Sequence, residues 1–387
     1  MSLEDQRAEI NNLDSELLRL LNRRAQIALS VGVAKQASGL SLCDHTRERE
    51  VIDRMCLANP GPLDERAVIE LYRVIIHESR RIQTRAEQLA EAVPSVIPRG
   101  DRPRVAFQGE PGAFSEEAAI KLLGEEISLV PRPTFDALFT AVSDQAADYI
   151  LAPIENSLAG FVHACYDLLL ESDLHITGEI IIPISHCLIG CSGAKFETIT
   201  TVESHPVALE QCRRFLGANP QIKRVPAEDT AGSVARIVAQ GEATHAAIAG
   251  RRAAEQYGGV ILRKHLEDSS ENYTRFLLLT PTAEFSAVAD KLSMVIELPH
   301  HAGALHDALE PFARRDIDLL KIEGRPVKGR PWEYCFYLDL RGSANDNEVT
   351  AALEELRERR VEVRILGSYA SARVPVLKTE EASDAAL

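Results

Sequence analysis

The sequence predicts a multidomain chain: an all-α segment of three helices, a larger α/β region, and a small α+β, ferredoxin-like unit of βαββαβ order. Three observations carry this reading. A seven-residue apolar repeat runs through residues 3 to 38 with no proline to interrupt it. The stretch EAVPSVIPRGDRPR (91–104) holds three prolines among charges and reads as a linker. Beyond it, short β-branched runs alternate with helical ones.

Residues 1–90 form the helical part. Leu3, Ile10, Leu17 and Val31 fall on the seven-residue register, and Leu13, Leu20, Ile27 and Ala34 follow three later, so one long helix is expected. A second helix fits Asp44 to Leu57, stopped by Asn59-Pro60-Gly61-Pro62, and a third fits Leu63 to about Ala90. In 105–280 the runs RVAFQG, SEEAAIKLLG, ADYILAPIENS and HACYDLLLES alternate in type, which suggests a doubly wound α/β domain. From 291 to 370 the order is strand (LSMVIEL), helix (AGALHDALEPFARR), two strands (IDLLKIE, WEYCFYLDL), helix (DNEVTAALEELRER) and strand (VEVRILGSY). Residues 373–387 read as a disordered tail.

Composition removes several function classes. The formal net charge is −15, which argues against nucleic acid as a partner, and an anionic substrate would need locally concentrated cations. No apolar run spans a bilayer, and the acidic, helical start MSLEDQRAEINNLD lacks a leader pattern, so no membrane association and a cytoplasmic location are expected. The seven cysteines (43, 56, 165, 187, 191, 212 and 335) have no zinc-like spacing and read as reduced thiols; no metal or cofactor is expected.

In the helical segment Arg24 occupies the apolar register where a leucine would be expected, a costly place for a cation unless an anion meets it. Lys35 lies eleven residues on, about 20° around the helix and roughly 16 Å along it, so the two can reach opposite ends of one small molecule. Asp44, Arg47 and Glu48 share a face of the second helix, and Ser79 and Gln83 a face of the third. Singly, each suits a salt-bridge network. Together, with ELLRLLNRRAQIALSVGVAK and DHTRERE, they resemble the all-helical chorismate mutases over residues 1–90.

That resemblance implies chorismate ligands at Arg7, Arg24, Lys35, Asp44, Arg47, Glu48, Ser79 and Gln83. Arg7 and Arg24 would take carboxylates, Lys35 and Gln83 the ether oxygen, Asp44 and Glu48 the ring hydroxyl. A pericyclic rearrangement needs only such clamping and charge stabilisation. Arg7 precedes Lys35 by 28 residues, roughly 42 Å along a straight helix. With no helix breaker between them, Arg7 is expected from another subunit of an interlocked homodimer or higher oligomer.

In the α/β region, VAFQGEPGAFSEEAA (105–119), APIENSLAGFV (152–162), VESHPVALEQC (202–212), EDTAGSVA (228–235) and ENYTRFLLL (271–279) resemble the prephenate dehydratases. The fold implied is two α/β lobes around a cleft, like periplasmic binding proteins. The turns Gly109–Ser115 and Thr230–Ser233 lead into helices whose free N–H groups suit carboxylates. The family's essential threonine falls on Thr274, expected to donate to the departing hydroxyl, with Asn156 and Gln211 as polar site partners. Arg275 fits either a substrate carboxylate or a brace to an acidic neighbour, and the first is adopted. Glu155 reads as an acid or a lobe-joining group, His186 and His205 as structural. The usual GxxGTFSE and SHPQA read GEPGAFSE and SHPVA here, placing Ala113 and Val207 near the cleft.

The βαββαβ unit resembles the ACT regulatory domain. The resemblance implies phenylalanine as effector, held at Gly303, Ala304 and Leu305, which open a helix, and at Glu323, Gly324, Arg325 and Pro326, where the usual ESRP reads EGRP. The expected function is therefore a bifunctional enzyme of phenylalanine biosynthesis, taking chorismate to prephenate and prephenate to phenylpyruvate under phenylalanine feedback. Alternatives are an arogenate-preferring dehydratase or a non-catalytic amino-acid sensor.

Overall fold

A computed structural model describes residues 3–37, 45–90, 102–283, 286, 288–298, 301–327, 329–330 and 333–375. Asp44 and the 373–387 tail beyond residue 375 lie outside these residues, as do the side chains of Lys35, Glu48 and Gln83. The chain divides into two compact units, Met1–Val93 and Pro94–Leu387.

The first unit is helical. The apolar repeat produces one uninterrupted helix, α1 (Leu3–Ala37), followed by α2 (His45–Ala58) and α3 (Glu65–Ala90). Asp64 caps α3, its carboxylate accepting from Ala67 N at 2.8 Å. Val68 and Ile76 on α3 are buried. The stripe on α1 is not: Ile10, Leu13, Leu17, Leu20, Ile27 and Val31 keep between 46% and 60% of their surface.

The second unit opens with a lobe built from β1 (Arg104–Gln108), α4 (Phe114–Leu123), β2 (Ser128–Arg132), α5 (Phe135–Phe139), β3 (Tyr149–Asn156), β4 (Gly160–Phe161), α6 (His163–Glu171) and β5 (His175–Pro183). A second lobe follows with β6 (Cys187–Gly190), β7 (Thr201–Ser204), α7 (Pro206–Gln211), α8 (Arg213–Ala218), β8 (Lys223–Pro226), α9 (Ala231–Gln240), β9 (His245–Ala249), α10 (Arg251–Tyr257) and β10 (Val260–Arg263). Its sheet runs β10-β6-β9-β7-β8. The chain then returns to the first lobe as β11 (Tyr273–Thr280), inserted between β3 and β5 to give the order β2-β1-β3-β11-β5. β11 is antiparallel to both neighbours, so the first sheet is mixed rather than a purely sequential winding. Thr274 stands opposite Asn156 on one side and Ile182 on the other.

Two segments cross between the lobes, residues 184–186 and 264–272. They are tied together by Ile184 N donating to Asn272 O (2.8 Å) and Leu266 N to His186 O (3.0 Å). A second tie joins α4 to α10, where Arg252 reaches the buried Glu116 at 2.6 Å.

The last part has the expected βαββαβ order: β12 (Lys291–Glu297), α11 (Ala304–Ala313), β13 (Leu319–Pro326), β14 (Tyr334–Arg341), α12 (Asn347–Glu358) and β15 (Glu362–Tyr369), with strands ordered β13-β14-β12-β15. Side chains alternate across each strand. Leu292, Met294, Ile296, Leu338 and Leu340 pack with Phe312, Leu353 and Leu356 of the two helices. The helix-free face carries Val295, Cys335 and Tyr337 into the first lobe's core beside Tyr166 and Leu169. Lys291, Ser293 and Asp339 lie on that same face, buried.

Candidate active site

The clearest polar constellation sits where the lobes and both crossovers meet. Asn156 ends β3, Thr274 begins β11, Asn272 closes the second crossover, and Gln211 comes from the end of α7 in the second lobe. The backbone fixes the polarity. Leu158 N and Ala159 N donate to Asn156 Oδ1 at 3.1 and 2.8 Å, an Asx-type turn that identifies this atom as the oxygen. Asn156 Nδ2 therefore faces Asn272 Oδ1 (2.8 Å), Tyr273 O (3.0 Å) and Thr274 Oγ1 (3.0 Å) as a donor. The Thr274 hydroxyl accepts from Asn156 and keeps its own hydrogen to give elsewhere. Such a group can protonate a leaving oxygen.

The structure thus brings together the three predicted residues Asn156, Gln211 and Thr274. It adds two that sequence reasoning missed. Asn272 is 1% exposed and donates to Gln211 Oε1 at 3.0 Å; its signal was a polar side chain just before the Tyr273-Thr274-Arg275 strand. His186, read from sequence as structural, lies 2.9 Å from the same oxygen through Nε2. His205 keeps its structural reading: its Nδ1 accepts from Val207 N (3.2 Å), capping α7. Burial pushes both imidazoles below their ordinary pKa.

Arg275 is not part of this cluster. Next in sequence to Thr274, it points to the other side, with Nε 2.6 Å from Glu179, NH1 2.7 Å from Asp339 and NH2 3.1 Å from the Tyr369 hydroxyl. Lys291 completes the network at 2.5 Å from Glu179, and Ser293 donates to Asp339 at 2.5 Å. The adopted reading of Arg275 as a carboxylate ligand gives way to the brace, because its donors are spent on buried carboxylates. Glu155 joins parts as well, but its partner is Lys321 of β13 at 2.7 Å, not the second lobe.

At the head of α4, Gly109 and Gly112 take positive φ, and a Cβ on Gly112 would lie 2.8 Å from Ala253 Cα across the lobes. The turn expected to suit a carboxylate is thus pressed against α10, with Gly112 N donating to Glu116 (2.9 Å). Ala113 packs in the second lobe's core, while Val207 is 43% exposed.

In the helical unit the described side chains include Arg7, Arg24, Arg47 and Ser79. Arg24 donates to the Ser79 hydroxyl and, at 3.4 Å, to Ile75 O, joining α1 to α3 through two predicted ligands. Arg7 is exposed near the far end of α1, and Arg47 pairs with Glu50 at 2.8 Å.

In the βαββαβ unit Gly303 caps α11 with φ 86° and Ala304 and Leu305 begin the helix. Glu323, Gly324, Arg325 and Pro326 end β13. Register places both segments at one end of the sheet, since Cys335 pairs with Glu297 on one side and Arg325 on the other. Arg325 is committed elsewhere: its guanidinium forks onto Asp167 of α6 at 2.7 and 2.8 Å and meets His163 at 3.0 Å.

Residues 105–284 match the prephenate dehydratase model and residues 6–84 the chorismate mutase type II model. A bifunctional chorismate mutase/prephenate dehydratase from Aquifex aeolicus is 34% identical over 375 residues, 96% of this chain and 98% of that one. The chain belongs to the bifunctional chorismate mutase/prephenate dehydratase family. Two solved structures resemble the part after the mutase region of this family member. A prephenate dehydratase from Arthrobacter aurescens in complex with L-Phe is 32% identical, with TM-score 0.64, covering 73% of this chain and 96% of that one. GqqA, described as a novel type of quorum-quenching acylase, is 31% identical with TM-score 0.64, covering 69% and 98%. Among the described residues no helix is long and apolar enough to cross a membrane.

Proposed function

We propose that the helical unit rearranges chorismate to prephenate and that the two-lobed region converts prephenate to phenylpyruvate, with phenylalanine as feedback effector. One observation supports the second step: Thr274 accepts from Asn156, so that contact leaves its own hydrogen unspent. In that step the ring carboxylate leaves as CO2, and its bonding pair enters the ring. The C–O bond to the ring hydroxyl breaks, and the oxygen departs as water with a proton from Thr274, which solvent replaces. Aromatisation drives the loss.

The first step needs only a clamp for two carboxylates and a cation at the ether oxygen. Arg24, already paired with Ser79, supplies one contact; Lys35, Asp44, Arg47, Glu48 and Gln83 are assigned by family likeness. Arg7 serves a neighbouring copy in an interlocked homodimer. The support is the continuity of α1, 35 residues long, and the exposed apolar stripe it carries. The region 291–370 acts as an ACT domain, binding phenylalanine between Gly303–Leu305 and Glu323–Pro326. Feeding purified protein chorismate while following prephenate and phenylpyruvate tests the assignment, and arogenate in a parallel reaction tests substrate preference. Absence of either product from chorismate overturns the corresponding step.

A further inference from the structure

His186 occupies the first crossover between the lobes and is 2% exposed. Its backbone is clamped on both sides, its N–H bound to Glu267 at 2.7 Å and its carbonyl to Leu266 N at 3.0 Å. Its ring meets Phe114, at the head of α4, edge to face with centroids 5.7 Å apart. Yet Nδ1 is buried with no hydrogen-bond partner among the described residues. An orphaned ring nitrogen is a cost that packing alone does not explain.

The polarity chain that starts at Asn156 fixes the other nitrogen. Because Asn156 Oδ1 is an acceptor for two backbone N–H groups, the Gln211 atom 3.3 Å away must be the donating Nε2. Gln211 Oε1 then faces outward from that contact, accepting from Asn272 Nδ2 at 3.0 Å and from His186 Nε2 at 2.9 Å. The imidazole nitrogen there must carry hydrogen. Burial disfavours the cation, more than the bond to Gln211 and the field of Glu267 favour it. The ring is held neutral with the hydrogen on Nε2, and the lone pair on Nδ1 is what this tautomer leaves over.

We propose that His186 is a positioning residue for the dehydration. From the interlobe crossover it donates to Gln211, orienting the amide relay Gln211–Asn156 that aims the Thr274 hydroxyl at the leaving oxygen. This rests on the reading of Thr274 as the donor. Gln211 belongs to the second lobe, Asn156 and Thr274 to the first, and His186 to the segment joining them. The relay is complete only while the lobes hold this arrangement, and a substrate between them meets a hydroxyl already oriented.

The test uses the full chain and four variants, with the mutase activity of each and its thermal unfolding as folding controls. His186→Gln keeps an N–H donor at the length of Nε2 and is expected to stay within about threefold of wild-type dehydratase kcat. His186→Leu, without a donor, and His186→Asn, with its donor one atom short, are expected to lose about tenfold or more in kcat with KM changed less than about threefold. If the Leu variant does not fold, the Gln-versus-Asn comparison decides alone. Loss in Gln equal to that in Asn and Leu, or wild-type kcat in Asn and Leu, overturns the proposal. Thr274→Val separates the two levels: if it retains dehydratase activity the reading of the site has failed, whereas its loss beside an indifferent His186 removes only the present inference.

Discussion

Thr274 and Arg275 are consecutive on one strand yet answer to different partners: the hydroxyl bonds Asn156 at 3.0 Å, while the guanidinium bonds Asp339 of the C-terminal sheet at 2.7 Å. The peptide that places the proposed donor is thus the one anchored to the C-terminal sheet.

Arg275→Gln is expected to destabilise the second unit by about 3 kcal/mol or more, since it leaves buried carboxylates short of their cation. Burial alone would raise the Asp339 pKa, but Arg275, Lys291 and Ser293 outweigh it and hold the carboxyl below its usual range. A depressed folded-state pKa stabilises above the unfolded value, near 3.9, and that contribution is lost as pH falls through the folded one. The variant should therefore show a lower melting temperature at pH 7 and a shallower acid limb. An unchanged melting curve combined with abolished dehydratase turnover would restore Arg275 to the substrate.

Thr274→Val should lower phenylpyruvate formation by roughly 10²-fold or more while mutase turnover stays near wild type. The isosteric methyl keeps the packing of a residue 9% exposed, so the loss reports the hydroxyl. Parallel kinetics on chorismate and prephenate check it; equal rates would leave this threonine a strand residue only.

Lys35→Ala should remove mutase activity, a barrier increase on the order of 3 kcal/mol, and leave dehydration largely intact. Mixed with an Arg7→Ala chain under subunit exchange, it should regain activity well above either parent. In the mixed dimer one of the two sites holds both residues. Verified exchange with no recovery would place the whole site within one chain.

Gly324→Ser tests the effector site. Its hydroxyl offers one neutral hydrogen bond, about 0.5–1.5 kcal/mol, or up to roughly tenfold in affinity. Against it, the new Cβ would stand 3.3 Å from Phe336 Cε1, so the ring must give by a few tenths of an ångström. The expected net result is phenylalanine binding tightened about threefold by calorimetry, with inhibition at correspondingly lower concentration. Wild-type binding of no measurable heat and no inhibition at millimolar phenylalanine would end the regulatory assignment.

Much of this was written in local pattern. The apolar repeat foretold α1, and Arg24 stood out in it as a cation in need of an anion, whereas the structure gives it the neutral Ser79 hydroxyl. The βαββαβ order was legible because each element has its own period. What stayed hidden is non-local. Nothing in ENYTRFLLL says that it returns past an entire lobe to pair between β3 and β5. Arg275 could not be assigned because both its carboxylates, Glu179 and Asp339, are distant in sequence. His186 looked like a solitary core histidine, and only the fixed polarity of Asn156 reveals what its ring must donate.

The insertion of β11 also sets an order of events at the ribosome. β5 is synthesised by Pro183, but β11, its one sheet neighbour among the described residues, begins at Tyr273, after the whole second lobe in sequence. Until then the nascent first lobe has the β2-β1-β3 ribbon and an unpaired β5 that carries Ile180, Ile181 and Ile182, a hazard for pairing with other chains. The helical unit, whose last helix ends at Ala90, is free to fold long before. A translation pause ahead of Tyr273 would prolong the exposed state, whereas one after Thr280 would find both edges of β11 already taken.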